Sequence, residues 1–199
     1  MTQPSPTFIG PDRKRRCSWC SSDPLYITYH DNEWGRPVTD DNRLYEKLCL
    51  EGFQAGLSWL TILKKREAFR EAFAGFDPLV VARFTTRDVQ RLMRNAGIVR
   101  NTAKIQATIS NARATIKVWD AGMTLSDVIW KHQPSKRRVA PRGHGDIPSF
   151  TPESTALSKE LSKLGFRFVG PTTMYAAMQS LGVVNDHYAS CAFRTGGKR

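Results

Sequence analysis

Apolar side chains recur along most of this chain at intervals of three and four residues, the spacing of one face of an α-helix. Few segments show the alternation of apolar and polar residues that is typical of a strand. Capping residues and glycines then set the ends of the helices. The helices that these signals predict are 40–51, which Gly52 ends, 58–74, a short one opened by Asp77 and Pro78, 85–95, 102–119, 125–130, one from Thr151 that Gly165 ends, 171–182, and a last helix capped by Asn185 or Asp186. This order predicts one all-α domain with two helical lobes.

The two ends of the chain depart from this pattern. Residues 1–16 are rich in proline and then basic, without the apolar stretch of a signal peptide, so we expect a disordered basic leader. The predicted folded domain is 17–192, and 193–199 is expected to be a flexible tail. No segment is apolar over the length that crosses a bilayer, and four cysteines in 199 residues do not indicate a disulfide scaffold. These features predict a cytoplasmic, nucleoid-associated protein.

The net charge of +12 at pH 7 indicates a polyanionic partner. Nucleic acid fits better than a membrane surface, because the sequence has no basic amphipathic helix with a broad apolar face. A basic protein without such a partner remains the alternative. The chain also lacks a P-loop, a dinucleotide-binding glycine motif, a nucleophile elbow and a His-Glu-x-x-His motif. Phosphoryl transfer, hydride transfer and esterase chemistry therefore have no support.

Candidate metal ligands are divided between the two ends of the chain. Cys17, Cys20 and His30 lie near the start, and His187 and Cys191 lie near the end. His187 and Cys191 are four positions apart in the sequence, so a helix would present both on one face. Zinc prefers four tetrahedral cysteine and histidine ligands, and spacing alone favours Cys17 together with Cys20. Buried thiols and hydrogen-bonded core histidines are the alternative interpretation.

A second candidate site is the segment between two predicted helices, residues 94–101 (RNAGIVRN). A tight turn around Gly97 would direct backbone N–H groups outward at the start of the next helix, where they attract a phosphate. Arg94, Arg100 and Lys104 add positive charge around it. The segment resembles the helix-hairpin-helix element of DNA-repair proteins, and an ordinary corner between two helices is the alternative.

A third candidate is Glu51, at the predicted end of an apolar helix and before the glycine-containing segment 52–59. The helix dipole disfavours negative charge there, and a buried carboxylate would need hydrogen-bond donors such as the amine of a ligand. Aromatic residues flank the same segments and can form a slot for a flat, electron-poor or cationic ring. They are Trp19, Tyr26, Tyr29, Trp34 and Trp59. An exposed Glu51 and aromatic rings that only form the core are the alternatives.

Several of these segments together resemble one known family, the 3-methyladenine DNA glycosylase I family. The similar motifs occur in the family's order and span residues 17 to 191. They are 17–19 (CSW), 23–35 (DPLYITYHDNEWG), 50–59 (LEGFQAGLSW), 63–67 (LKKRE), 95–100 (NAGIVR), 165–170 (GFRFVG) and 185–187 (NDH).

The resemblance implies a helix-hairpin-helix glycosylase fold whose N- and C-terminal regions are joined by a structural zinc ion. The family's ligand pattern corresponds to Cys17, His30, His187 and Cys191. It therefore favours His30 where spacing alone favours Cys20, and Cys20 remains the alternative ligand.

The implied activity is hydrolysis of the N-glycosidic bond of 3-methyladenine in alkylated double-stranded DNA, with the damaged nucleotide flipped out of the helix. Free 3-methyladenine is the product, and no strand cleavage is expected because the chemistry needs no lysine nucleophile. We expect a monomer that does not bind membranes.

The resemblance also implies roles for individual residues. Glu51 is expected to accept hydrogen bonds from the amine edge of the adenine and to stabilise the transition state. Tyr29 would contact another edge of the adenine, and Trp59 would stack on its ring. Tyr26 and Trp19 would line the slot. The residues expected to contact DNA are Leu57, as a wedge in the vacated space, and Gly97, Ile98, Val99, Arg100 and Lys104.

Two other classes of function share part of these features. A non-catalytic helix-hairpin-helix DNA-binding protein would have the same charge and hairpin but no use for Glu51 beside Tyr29 and Trp59. A zinc protein that binds other proteins would have the same ligands but no salt-sensitive affinity for DNA.

Overall fold

Helices form most of the computed structural model, which describes residues 5–136 and 138–194. The helices are α1 Pro24–Asn32, α2 Asp41–Gln54, α3 Trp59–Ala72, α4 Pro78–Val81, α5 Thr86–Arg94, α6 Thr102–Asp120, α7 Leu125–Trp130, α8 Pro152–Lys163 and α9 Pro171–Ser180. Short 3-10 turns occur at Ser18–Cys20, Ala74–Phe76 and His144–Asp146, and two short strands, β1 Thr7–Ile9 and β2 Arg15–Cys17, precede α1. Within the described ranges, no helix has both the length and the apolar character needed to cross a membrane.

Local signals in the sequence fix most of the helix starts. The side chain of Ser58 accepts a hydrogen bond from the Thr61 N–H at the start of α3, and Asn101 caps α6 in the same manner. Thr85 and Asp88 form a capping box at the start of α5. Proline occupies the first turn of α1, α4, α8 and α9. The predicted all-α class is confirmed.

Helix α2 is at the centre of the packing. Helices α4 and α5 pack on α6, and α7 and α9 pack on α8, which gives two groups of helices. Helix α2 contacts α6 in the first group and α7 and α9 in the second. Its buried apolar residues, among them Leu44, Leu48 and Phe53, belong to one continuous core that includes residues from both groups.

Helix α2 also continues past Gly52, where the sequence predicted its end. A Cβ atom at this position would lie 3.1 Å from the Cβ of Phe168. The glycine therefore permits the close approach of another segment and does not stop the helix. Glu51 consequently lies inside α2, three residues before its last residue, Gln54.

The prediction of a disordered leader over residues 1–16 is wrong for the part that the structure describes. Strands β1 and β2 form an antiparallel hairpin. Its Arg16 side chain is buried and donates hydrogen bonds to the carboxylates of Asp12 and Asp31. Two carboxylates thus compensate a buried guanidinium, which gives the hairpin a fixed position on α1. Residues 1–4 of the predicted leader lie outside the described residues.

The predicted last helix, which was expected to carry His187 and Cys191, is also wrong. Residues 183–194 form a series of turns. The Cys191 N–H donates to the Tyr188 carbonyl at 2.8 Å, and the Ala192 N–H donates to the Arg15 carbonyl at 2.8 Å. The tail predicted from 193 begins with two residues in contact with the domain, since the Phe193 ring lies 5.5 Å from that of His30. Residues 195–199 lie outside the described residues.

Candidate functional site

Helices α1, α2, α3 and α9 surround a cavity of about 200 Å³. Its wall includes Tyr29 from α1, Lys47 from α2 and Trp59 from α3, and Ser180 contributes from the end of α9. Trp59 is the first residue of α3, so the cap provided by Ser58 also fixes where the indole ring begins to project. The cavity is therefore bounded by side chains on rigid elements.

Tyr29 and Trp59 form an aromatic wall. Their ring centroids are 5.5 Å apart with 42° between the ring planes, and the two residues are 3% and 8% exposed. The Nε1–H of Trp59 is buried and has no hydrogen-bond acceptor among the described residues. Because buried donors in folded proteins are nearly always paired, this N–H is available to an acceptor that the described residues do not supply.

Glu51 and Lys47 are one turn apart on α2 and meet at this wall. Glu51 is 4% exposed, and its Oε1 accepts a hydrogen bond from Ser180 Oγ at 3.3 Å. The Nζ of Lys47 lies 3.7 Å from Glu51 Oε1 and donates to the hydroxyl of Tyr29 at 2.6 Å. It also lies 3.8 Å from the centroid of the Trp59 ring. The alternative of an exposed Glu51 is thus excluded. The side chain of Lys47 lies between the Glu51 carboxylate and the cavity.

Burial perturbs both charges of this pair. It raises the pKa of the Glu51 carboxyl, an effect that Lys47 and Ser180 oppose. It lowers the pKa of the Lys47 ammonium to about 8, an effect that Glu51 opposes. Burial also raises the pKa of Tyr29 well above its usual value, and Glu51 adds to this shift. A carboxylate beneath two aromatic rings is suited to a flat ring that carries positive charge.

The other carboxylates of the cavity wall are already neutralised. Arg66 binds Glu33 through two hydrogen bonds of 2.6 and 2.9 Å, and Arg70 Nε donates to Glu46 Oε1 at 2.8 Å. Glu51, which lies behind the Lys47 side chain, has a lysine ammonium as its cationic neighbour and not an arginine. Because lysine is a mobile point charge and arginine a rigid bidentate partner, the Glu51 pair is the more easily separated.

A second site lies where the N- and C-terminal segments meet. Cys17, His30, His187 and Cys191 are all buried, and their ligand atoms lie within 4.8 Å of one another. His187 Nδ1 is 3.2 Å from His30 Nε2 and 3.8 Å from Cys17 Sγ, and Cys191 Sγ is 3.5 Å from each histidine nitrogen. A tetrahedral zinc site has N–N edges of about 3.3 Å and N–S edges of about 3.6 Å, calculated from Zn–N and Zn–S bond lengths. The residues fit such an ion.

Surrounding groups hold the two histidine rings in place. His30 Nδ1 lies 2.8 Å from Asp31 Oδ1, and Asp31 is in turn bound by Arg16. His187 Nε2 lies 3.2 Å from the Trp34 carbonyl oxygen. In each ring the nitrogen that faces away from the cluster thus has an oxygen partner, which is the arrangement that orients metal-binding histidines.

Cys20 lies outside this group, although spacing alone favoured it as a ligand. Its Sγ donates to the carbonyl of Cys17 at 3.1 Å. The structure therefore brings together the four residues that the family resemblance implied. A sequence separation of three residues was a poor guide because the short 3-10 turn at Ser18–Cys20 directs the second thiol back onto the chain.

The predicted phosphate-binding turn between α5 and α6 is present, but fewer of its backbone N–H groups are available than the sequence predicted. Asn95 accepts the N–H groups of Gly97, through its side chain, and Ile98, through its carbonyl. The Ile98 side chain is 2% exposed and belongs to the core. The N–H groups of Val99 and Arg100 have no acceptor among the described residues. These two N–H groups, at the end of the turn and just before α6, are thus free to bind a phosphate.

Comparison with known proteins identifies the family of this chain. The chain matches the methyladenine glycosylase family over residues 19–195. The chain belongs to this family. DNA-3-methyladenine glycosylase 1 of Escherichia coli (strain K12) is 50% identical over 186 residues, 92% of this chain and 98% of that protein. A crystal structure of a 3-methyladenine DNA glycosylase I, 50% identical, matches with a TM-score of 0.86 and covers 89% of this chain and 98% of its own.

A further family structure concerns the enzyme from Staphylococcus aureus and describes how that protein recognises 3-methyladenine. It is 35% identical, has a TM-score of 0.87 and covers 92% of this chain and 98% of its own. The similarity extends over nearly the whole chain, so the cavity and the metal-ligand cluster both lie within the family's fold.

Two aromatic residues that the resemblance places beside the base lie outside the cavity wall in the structure. Trp19 and Tyr26 are half-buried and pack on each other at 5.0 Å between centroids, but neither lines the cavity. Trp19 instead contacts the His30 and Trp34 rings at 5.2 and 5.0 Å. Trp19 thus lies between His30, a candidate metal ligand, and Tyr26, whose ring is 6.4 Å from that of Tyr29, and is not expected to touch a base.

Lys104 also differs in position from the expectation. It was expected to bind DNA, but its side chain is buried and its Nζ donates to the carbonyls of Phe53 at 2.8 Å and Ala55 at 2.6 Å. The ammonium therefore caps the C-terminal end of α2, where the helix dipole favours a cation. In the described residues, Arg100 and Leu57 are the predicted DNA contacts whose side chains are exposed.

Proposed function

We propose that this protein releases 3-methyladenine from alkylated DNA by hydrolysis of the N-glycosidic bond. The observation that carries the proposal is the buried carboxylate of Glu51, which the Lys47 ammonium connects with the wall formed by Tyr29 and Trp59. Its relatives are named for this reaction, and the proteins align with this chain over nine-tenths of its length. A non-catalytic DNA-binding protein would have no use for a buried acid at the end of a cavity.

The chemistry asks little of an acid catalyst. A 3-methylated adenine carries positive charge in the nucleotide, so it leaves as a neutral base while a water oxygen bonds to C1′ of the sugar and loses a proton. The protein must extract the nucleotide, which costs a few kcal/mol, and distinguish it from adenine. The Glu51 carboxylate accepts a hydrogen bond from the exocyclic amine of the base. It also stabilises the positive charge on the base and then on the sugar. Trp59 stacks on the ring, and Tyr29 contacts its edge.

The unpaired Nε1–H of Trp59 gives this pocket a second polar contact. An adenine ring presents acceptor nitrogens as well as its amine, so a donor and a carboxylate on the same wall can read two edges of one base. A base that lacks either partner would leave a buried polar group unsatisfied, which is costly. This double requirement is the proposed origin of selectivity for an adenine.

Zinc is the metal that we assign to the Cys17, His30, His187 and Cys191 cluster. Two thiolates and two imidazoles suit zinc, and four protein ligands leave no open position for water or substrate. The ion would therefore be structural and join the N-terminal hairpin to the C-terminal turns. It would also fix His30, the neighbour of Tyr29 on α1.

The DNA partner is proposed to be a double helix, bound by one protein molecule at the nucleoid. Leu57, in the loop after α2, is 42% exposed and would fill the space that the flipped nucleotide vacates. The second half of the α5–α6 turn, with Arg100, would hold one phosphate at the start of α6. The net charge of +12 adds a sequence-independent attraction that salt weakens.

Incubation of methylated duplex DNA with the purified protein tests the proposal. We expect free 3-methyladenine in solution and an abasic strand that stays intact. Well-folded protein that binds DNA but releases no base would favour the non-catalytic alternative. Strand cleavage, or a covalent adduct trapped by borohydride, would instead assign a nucleophilic role to Lys47.

The phosphate contact of the hairpin gives one quantitative prediction. Arg100→Ala should weaken binding about fivefold on any DNA sequence and lower the slope of log affinity against log salt by about one, because one phosphate contact is lost. Fluorescence anisotropy on undamaged and methylated duplexes measures both quantities. Lys117→Ala, an exposed change near the other end of α6, is the matched control and should leave the slope unchanged. An effect of Arg100→Ala confined to damaged DNA would contradict the assignment.

The wedge gives another. Leu57→Ala should slow base release from duplex DNA about tenfold, because the flipped state loses the apolar group that fills its gap. Release from a single-stranded methylated oligonucleotide should be unchanged, since no base stack has to be opened there. Leu79→Ala, at a leucine of α4 that is 51% exposed, is the control. Equal slowing on both substrates would show that Leu57 acts on the pocket and not on the duplex.

A further inference from the structure

We infer that Lys47 is a resident cation of the base pocket, which occupies the face of Trp59 in the empty enzyme and is displaced when a base enters. This inference rests on the proposed function, because it concerns the same cavity. It goes beyond that function in giving a residue with no role in the proposed chemistry the task of controlling access to Glu51.

The geometry places the ammonium where the ring of a base would lie. Lys47 Nζ is 3.8 Å from the centroid of the Trp59 ring and 4.8 Å from that of Tyr29. A stacked base also lies at about 3.5–4 Å from an aromatic ring, the optimal separation of carbon atoms. The two cannot share the same face of Trp59. Lys47 must therefore leave before a base can stack.

The position of Lys47 also imitates the charge of the substrate. Its ammonium interacts with both rings and lies 3.7 Å from Glu51 Oε1, as the positive charge of a methylated base would. The Lys47 ammonium thus compensates the buried carboxylate of Glu51. A cationic base replaces one positive charge with another, whereas an uncharged adenine would leave a buried carboxylate without a cation. Lys47 accordingly adds to the discrimination against undamaged bases.

Displacement has a consequence for protons, because burial lowers the pKa of Lys47 to about 8. An ammonium that turns out of the cavity into water recovers the higher pKa of an ordinary lysine. A group whose pKa is higher in the bound state takes up protons on binding, so the affinity for the base falls as pH rises through the pKa of the free state. At pH 8 the expected uptake is about half a proton per base.

Several other ionisable groups face Lys47. They are Glu51 and Glu46 on α2, Tyr29 on α1, Glu33 directly after α1, and Arg66 on α3. Burial opposes ionisation of Glu33, but Arg66 lowers the pKa of its carboxyl overall. Burial keeps the pKa of Tyr29 well above this range. If Glu51 titrated in this range, a base that needs its ionised form would bind more tightly at higher pH, the opposite trend.

Free 3-methyladenine is uncharged, but it must take the same face of Trp59, so its binding also displaces the Lys47 ammonium. Titration of the protein with this base, followed by tryptophan fluorescence at pH 7, 8 and 9, tests the inference. For the wild type we expect the dissociation constant to increase about tenfold from pH 7 to pH 9. Lys47→Arg stays charged at every pH and Lys47→Met at none, so both should lose this increase. Lys65→Arg is the matched control, because the Lys65 ammonium binds the Ala96 and Gly97 carbonyls away from the cavity. It should keep the wild-type profile.

A wild-type affinity that is constant or rises with pH would overturn the inference, as would a tenfold decrease that persists in Lys47→Arg. If Lys47→Arg does not fold, by circular dichroism, Lys47→Met and the wild-type profile decide alone. The base-release assay on methylated duplex DNA separates the two levels. Release by the wild type without the pH effect refutes the displaced lysine only, whereas absence of release refutes the proposed function.

Discussion

Replacing Glu51 by Gln should slow the release of 3-methyladenine about 100-fold, the usual effect of removing one electrostatic contact to a transition state. The change removes the negative charge beneath the aromatic wall and leaves a side chain of the same shape. The hydrogen bond from Ser180 can persist, since the amide oxygen also accepts. Single-turnover release from methylated duplex DNA measures the loss, and the affinity for undamaged duplex should stay within twofold of the wild type.

The fold should survive this change, even though Lys47 loses its carboxylate. Burial already lowers the pKa of Lys47, so the amine can give up its proton and avoid an uncompensated buried charge. Glu160→Gln is the matched control, because Glu160 is also bound by a lysine ammonium, that of Lys131, and by His132, but lies on α8, which does not border the cavity. Full activity of Glu51→Gln, with a normal melting temperature, would remove Glu51 from the mechanism.

The helices were predictable because their signals are local. Capping residues such as Ser58 and Asn101 lie within three positions of the N–H groups that they accept, so a short stretch of sequence contains both partners. The same cannot be said of Gly52. Its reason for being glycine is Phe168, more than a hundred residues away, and a local pattern therefore gave the wrong end for α2.

The segments that the sequence failed to predict depend on distant partners. The hairpin at residues 7–17 is fixed by the pairing of Arg16 with Asp31 and by the hydrogen bond from Ala192 to Arg15. The turns that carry His187 and Cys191 pack on the same hairpin. Neither segment has enough regular local structure for its conformation to be predicted from the sequence. Each is held in place by the other and by the metal-ligand cluster.

The site was predictable in its residue types and less so in its charges. Glu51, Tyr29 and Trp59 were expected to meet, and the structure brings their helices around one cavity. Lys47 was missed, although its position four residues before Glu51 is a usable signal. Such pairs ordinarily lie on a solvated helix face. Here the face is buried, and only the arrangement of α1 and α3 around α2 shows that the pair lies in the pocket.

The orientation of Lys104 also could not be predicted from the local sequence. A basic residue in the first turn after a predicted hairpin is an ordinary phosphate ligand by sequence. The direction of its side chain is set by the C-terminal carbonyls of α2, Phe53 and Ala55, which no local pattern connects with it. Predicted charge near a binding element therefore does not establish that the charge faces the partner.

Loss of the proposed zinc ion should have the largest effect on stability. Cys191→Ser replaces a thiolate by a weaker ligand in a cluster that joins the hairpin at residues 7–17 to the C-terminal turns. Because metal binding to such a cluster contributes directly to folding, we expect loss of zinc and a decrease in Tm of about 10 °C. Elemental analysis of the purified protein and differential scanning calorimetry measure the two effects.

Cys20→Ser is the matched control for this prediction. Cys20 is as fully buried as Cys17 and lies three residues from it, but its Sγ only donates to the Cys17 carbonyl, which a serine hydroxyl can also do. It should therefore keep one zinc ion per chain and a Tm close to that of the wild type. Zinc lost from Cys20→Ser but kept in Cys191→Ser would restore the ligand set that spacing alone favoured. Because His30 follows Tyr29 on α1, loss of the ion in Cys191→Ser should also weaken the binding of 3-methyladenine, and Cys20→Ser should not.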